Sequence, residues 1–287
     1  MRPFRSFSLA NTVLFTVLCL TMIAPLVHLA AVSLSAPVYA NAKLVTFWPM
    51  GFQFGVYKTI AGMGNIWRSM GNSIYITVVG TGIALAFTST LGYSLSRPNM
   101  KGKRWVLRGI VLTFIFSAPL VPSYLLVRSL GMENTLWALM IPNALNAFNV
   151  IIMKTFFQGI SSEMFDAGKI DGCSEWGILW RIAVPLSAPV IATLALFHMV
   201  GQWNSYFSAL IYIRDRDLQP MQVLLRSLIV EEEANNMIAS STDVASLMTP
   251  EMLKAGITLF ATLPILIVYP FLQKYFVKGA MVGSLKE

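Results

Sequence analysis

Two short runs in this 287-residue chain carry residue types that could do chemistry. The first is Asp166-Ala167-Gly168-Lys169-Ile170-Asp171-Gly172, with Glu163 shortly before it, Trp176 shortly after, and Pro185 closing the stretch. Carboxylates next to apolar and aromatic residues in a loop-forming sequence suit contact with another protein. The second run is Gln202-Trp203-Asn204-Ser205-Tyr206. Amides, hydroxyls and aromatic faces bind polar solutes by hydrogen bonding and stacking, and an unpaired amide is costly in apolar surroundings. Hydrogen bonding between helices, at about 0.6–2 kcal/mol, is the other reading of the same residues. Catalytic groupings are not evident. His28 and His198 are the only histidines, and neither has acidic companions in its apolar stretch for a proton relay or a metal site. Cys19 and Cys173 fall far apart, and Cys173 has no nearby histidine to activate it. No Gly-x-x-x-x-Gly-Lys-[Ser/Thr] occurs, since Lys103 precedes Arg104 and Lys169 precedes Ile170. The chain therefore shows no phosphate-cradling P-loop.

The elements that position these runs are membrane helices. The chain is 56% hydrophobic and 12% charged, with mean hydropathy +0.65, whereas soluble domains carry about 25% charged residues. A helix crosses the apolar layer in about 20 residues, and it alone satisfies its own backbone there. Six stretches of about that length, 11–34, 69–96, 109–127, 134–153, 187–213 and 255–273, contain no Asp, Glu, Lys or Arg. They predict an all-α integral membrane protein, a bundle of six spans forming one domain over 1–287. The first stretch is longer than the apolar region of a cleavable signal and reads as a retained anchor. Gly80, Gly82 and the prolines at 25, 119, 122, 142, 189 and 264 permit close packing and kinks.

Six spans put both termini on one side. That side carries thirteen basic and five acidic residues, and so the whole net charge of +8. By the bias of Lys and Arg toward the cytoplasm, that side is cytoplasmic. The same bias accounts for the basic pI, so nucleic-acid binding is excluded. The cluster Arg97 to Arg108 reads as a connection between spans that anchors at lipid headgroups. Segment 154–186 is then cytoplasmic, and loops 35–68 and 214–254 face outward. The latter is acidic, with Glu231-Glu232-Glu233, and long enough either to serve a partner or to be disordered.

Within 154–186, Ser161 or Ser162 can cap a helix with Glu163 and Asp166 in its first turn. Gly168 and Gly172 are expected to loosen and end it, and Ser174 can start a second helix through Trp176 and Trp180. This pair of helices would expose Phe165, Ile170, Trp176 and Trp180. Asp166 through Gly172, and then Arg181-Ile182-Ala183-Val184-Pro185-Leu186, resemble the EAA loop of ATP-binding-cassette import permeases. Ala167, Gly172 and Pro185 match that pattern, while Asp166 replaces its Glu and Gly168 its second Ala. Phe47-Trp48-Pro49 with Tyr57-Lys58, the run Gln202 to Phe207, Pro220 to Arg226 and the tail Tyr275 to Lys286 resemble the carbohydrate-importing branch, closest to permeases for oligosaccharides or uronate polymers such as alginate or pectin fragments.

The resemblance implies a six-helix type I permease with a cytoplasmic coupling helix, in a bacterial inner membrane. The chain would be non-catalytic and hold no cofactor, with ATP and Mg bound by two cytoplasmic ATPase subunits. A homologous second permease chain, an extracytoplasmic solute-binding protein and a carbohydrate would be its other partners. Glu163, Asp166, Ala167, Gly168, Asp171, Gly172, Trp176 and Pro185 would form the coupling site. Gln202, Trp203, Asn204 and Tyr206 would line the sugar path. The outer loop would meet the binding protein, and the tail could reach the ATPase. An import permease for another solute class, an ion-coupled carrier and a membrane enzyme are the alternatives. The last two want ionisable or clustered residues that the apolar stretches lack.

Overall fold

The computed structural model describes residues 5–116, 118–227 and 249–284, all helix, turn or loop. Helix α1 (Arg5–Ser33) is followed by the short α2 (Pro37–Asn41) and α3 (Gly55–Gly62), then by the long α4 (Gly64–Ser96). Next come α5 (Lys103–Ile115), α6 (Leu120–Ser129), α7 (Trp137–Met140), α8 (Ala147–Gln158) and α9 (Ser162–Ile170). Helix α10 (Glu175–Ile178) runs through a π-helical turn (Leu179–Ala183) into α11 (Val184–Leu186), and then α12 (Ala188–Trp203), α13 (Phe207–Tyr212) and α14 (Pro250–Ser284) complete the order.

Among the described residues, three helices are long and apolar enough to cross a membrane unbroken: Phe7–Ser33, Gly64–Ser96 and Pro250–Pro270. A fourth candidate is the pair Glu175–Leu186 and Ala188–Trp203, bent by 83°. The apolar stretches 109–127, 134–153 and 187–213 are each divided, where continuous spans were expected. Proline accounts for two of the breaks. Pro119 has no N–H to donate and drives its predecessor toward extended backbone, so α5 stops at Ile115 and α6 restarts at Leu120. Pro142 lies just beyond α7, and α8 begins only where Asn146 can cap it, its side-chain oxygen accepting from the backbone N–H of Phe148 (2.9 Å) and Asn149 (3.3 Å). At the third break α12 ends on Asn204, and α13 begins at Phe207.

The chain forms two compact units. One comprises Met1–Trp67 and Leu224–Leu263. There, Gly256 packs so closely that a Cβ would collide with Val56 and crowd Ile60, and Trp67 meets Phe260 edge-on at 5.2 Å. His28 bonds the Thr46 carbonyl at 2.7 Å, which gives that histidine a structural partner. Most of α1 is exposed, its apolar side chains included.

The other unit comprises Arg68–Val223 and Pro264–Glu287, and it holds both runs singled out above. One core, Ile76, Val127, Leu139, Met140, Ala209, Tyr212 and Val223, joins α4, α6, α7 and α13. A second, Tyr93, Met153, Phe157, Phe165, Ile178, Leu179, Ala183 and Leu194, joins α4, α8, α9, α10 and α12. The acidic run is thus built onto helices that also wall the rest of the unit.

Candidate functional sites: an acidic surface segment and a polar cavity

The segment 161–187 is shaped by local rules. Ser161 Oγ accepts from the N–H of Glu163 at 3.3 Å, and Ser174 Oγ from that of Gly177 at 3.2 Å, capping α9 and α10. Between them, Cys173 N–H donates to the Gly168 carbonyl (2.9 Å) and Gly172 N–H to that of Lys169 (3.0 Å), with Gly172 at φ +76°. This is the Schellman ending, in which glycine relieves the left-handed position. Further on, Val184 N–H reaches back to the Leu179 carbonyl, the wide closure of the π turn. Pro185 and Pro189 flank the 83° bend, and the Ser187 hydroxyl is buried there without a hydrogen-bond partner.

Two expectations are corrected here. Gly168 does not loosen α9, which runs unbroken to Ile170. Its missing Cβ instead admits Ile182, whose Cδ1 would lie 2.6 Å from such a carbon, with Ile178 at 3.5 Å. Phe165 is not exposed but 4% accessible, packed in the second core. Glu163, Asp166, Ala167, Asp171, Gly172, Trp176 and Pro185 are all exposed. Ile170 (87%), Trp176 (62%), Met164 and Trp180 add apolar surface to these carboxylates.

Sequence reasoning missed the residues beneath this surface. Glu175 accepts a 2.7 Å hydrogen bond from the Tyr93 hydroxyl and pairs with Lys169 (3.4 Å) and Arg97 (3.7 Å). Chiefly that Tyr93 bond, aided by Lys169 and Arg97 against partial burial, holds Glu175 below the ordinary carboxylate value. Arg97, expected at lipid headgroups, lies over the Phe165 ring at 4.0 Å and near the Tyr93 ring at 4.9 Å. A cleft of about 470 Å³ opens beside this group, lined by Arg97, Phe165, Asp166, Lys169 and Glu175 among others.

A cavity of about 560 Å³ forms the second site. Amides and hydroxyls of Asn143, Asn146, Asn149, Gln202, Ser205 and Ser208 line it, together with His198 and the rings of Phe114, Phe148 and Phe197. No charged side chain is among them. The α7–α8 break contributes Pro142, Asn143, Leu145 and Asn146 to the wall. Gln202 is buried and donates to the Leu139 carbonyl at 3.1 Å. His198 bonds Thr81 (3.3 Å) and the Asn143 carbonyl (3.2 Å). The four path residues expected from sequence are separated. Gln202 lines this cavity, and Trp203 lines a smaller apolar one of about 160 Å³. Asn204 bonds its own helix at the Val200 carbonyl (2.8 Å), while Tyr206 lines neither cavity. The three asparagines at spacing three were a readable signal, hidden inside a stretch counted as one apolar span.

The expected outer loop begins firmly. Asn134 Oδ1 accepts from the N–H groups of Arg214 and Asp215, while Glu133 takes the Tyr124 hydroxyl and Arg214, each at 2.7 Å. Glu231-Glu232-Glu233 lie outside the described residues, as do the tail side chains from Tyr275 on. Among the described residues no three His, Cys, Asp or Glu side chains gather as metal ligands.

Comparison with known proteins places this arrangement. The family described as "Binding-protein-dependent transport system inner membrane component" matches residues 82–282. Protein LplC of Bacillus subtilis (strain 168) is 42% identical over 284 residues, covering 98% of this chain and 95% of that one. The polygalacturonan/rhamnogalacturonan transport system permease protein YtcP of the same organism is 37% identical over 273 residues, covering 95% and 94%. A chain from the crystal structure of a bacterial ABC transporter involved in the import of the acidic polysaccharide alginate superposes with TM-score 0.86 at 30% identity, covering 96% of this chain and all of that one.

Proposed function

As the chain belongs to the family of binding-protein-dependent transport system inner membrane components, we propose that it is the membrane-spanning, non-catalytic half of an ATP-driven carbohydrate importer. The observation that carries this reading is one unit holding both an exposed acid-and-tryptophan segment and an uncharged cavity lined by amides. Six crossings in a single permease domain over 1–287 account for the apolar stretches. Three are unbroken helices, and three are assembled from the divided pieces. Both termini face the cytoplasm of a bacterial inner membrane.

Segment 162–186 docks on one of two ATPase subunits, which bind ATP and Mg. Asp166, with Glu163 and Asp171, supplies polar contact, and Trp176 supplies apolar contact. Gly172 and Pro185 fix the turn and the bend that aim them. A homologous permease chain supplies the other half of the path. An extracytoplasmic binding protein delivers the cargo to the loop beginning at Arg214. In the cavity, Asn143, Asn146, Asn149 and Gln202 offer donors and acceptors to sugar hydroxyls, and the phenylalanine rings offer stacking faces. Galacturonan oligosaccharides, the class that YtcP's name carries, fit as cargo. Their carboxylates find no cation in this wall and are met elsewhere.

The test is purification of the chain with the products of neighbouring genes. The ATPase is expected to co-purify with the native chain and to be lost with Asp166→Lys plus Trp176→Ala. Undiminished association and uptake in that variant would sink the docking assignment.

A further inference from the structure

We propose that Tyr93, Arg97 and Glu175 form a latch that makes the C-terminal end of α4 and the α9–α10 segment one mechanical body. Displacement of the segment is thereby delivered to α4. The inference rests on the reading of that segment as the ATPase-coupling element.

Tyr93 stands on the last turn of α4 and Arg97 follows directly after the helix ends at Ser96, and both lie against the Phe165 ring. Tyr93 is buried, with Phe157 and Phe165 edge-on at 6.0 and 6.2 Å. Its hydroxyl meets Glu175 Oε2 of α10 at 2.7 Å, a short bond to an ionised acceptor. Arg97 lies over the Phe165 ring of α9 at 4.0 Å and reaches toward the same Glu175 at 3.7 Å. One of its nitrogens is buried with no hydrogen-bond partner. Stacking and the nearby carboxylate are therefore what hold that end of the guanidinium. Helices α4, α8, α9 and α10 meet in this cluster through groups that reach across, not along, the chain.

Helix α4 then leads without a break to the cavity. Twelve residues before Tyr93, about 18 Å along the axis, Thr81 touches His198, and Gly80 lies against Gln202. Both partners line the polar cavity. A push on the segment thus has a rigid path to the wall that faces the cargo.

The test places spin labels at Asn99→Cys and Arg181→Cys, both exposed sites outside the docking residues named above, in a background with Cys19 and Cys173 replaced by serine. Distances are read in the chain alone and in the ATPase complex, nucleotide-free and trapped with ATP and vanadate. The latch predicts one narrow distance, the same in both nucleotide states. Tyr93→Phe or Glu175→Ala should broaden it and make it differ between states, and the double variant should be no worse than Glu175→Ala alone, since that change already removes the Tyr93–Glu175 bond. A native distance that changes between states overturns the latch. So do single variants indistinguishable from native, or effects that add in the double variant. Failure of the coupling reading shows separately, as an ATPase that does not bind. The distribution in the chain alone still judges the latch in that case.

Discussion

Replacing Gly80 with alanine tests the cavity wall at its tightest point. A Cβ at this position would lie 2.8 Å from Gln202 Nε2 and 3.3 Å from Met140 Cγ. The Gln202 amide must retreat by about 0.6 Å to reach the 3.4 Å of ordinary contact. Its bond to the Leu139 carbonyl is already 3.1 Å long, near the edge of the range of about 2.7–3.2 Å in which such bonds hold. Leaving a buried amide unpaired costs about 1–3 kcal/mol. Removing glycine from a helix interior returns about 1 kcal/mol. The net expectation is a loss of up to about 2 kcal/mol, seen as a lower melting temperature of the purified protein. In a Gln202→Ala background the obstacle and the bond are both gone, so Gly80→Ala should become neutral or stabilising. An equal cost in both backgrounds, or a gain in the native one, would refute this account of the contact.

Gly172→Ala should destabilise by about 1–2 kcal/mol, the cost of a left-handed backbone position for a residue with a Cβ; thermal melting measures it, at φ +76° in the native turn. Asn146→Ala removes the cap of α8 and one cavity amide together. It should cost about 1 kcal/mol in melting experiments and also lower sugar uptake. Glu175 has a depressed native pKa, so its stabilising contribution is present above the ordinary value of 4.5 and is lost as pH falls through the native value. The melting temperature of the native protein should therefore exceed that of Glu175→Gln at neutral pH, and the gap should close only under acid conditions below that value.

What the sequence made legible was what local rules decide. The serine caps at Ser161 and Ser174 and the turn at Gly172 are set by residues within a few positions of each other. The apolar stretches announce themselves by length and lack of charge. Hidden were the features set by residues far apart in the chain. Gly168 looks like a helix breaker until Ile182 is seen filling the space of its side chain. Phe165 sits among polar neighbours in sequence, but Tyr93, Phe157 and Arg97 pack around it from distant parts of the chain. Arg97 belongs to a basic cluster whose charge explains topology, and nothing nearby in sequence points to an aromatic ring beneath it. Trp203 lies in a run of polar residues, yet helical rotation turns it into the apolar cavity while Gln202 faces the polar one.

On the proposed reading, transport energy reaches this chain from a separate ATPase. Uptake of labelled oligogalacturonide into proteoliposomes tests it most directly, using the complete complex with its binding protein. Uptake is expected only when ATP is on the ATPase side, and none is expected from a proton or sodium gradient alone. Uptake that follows an ion gradient without ATP would contradict it.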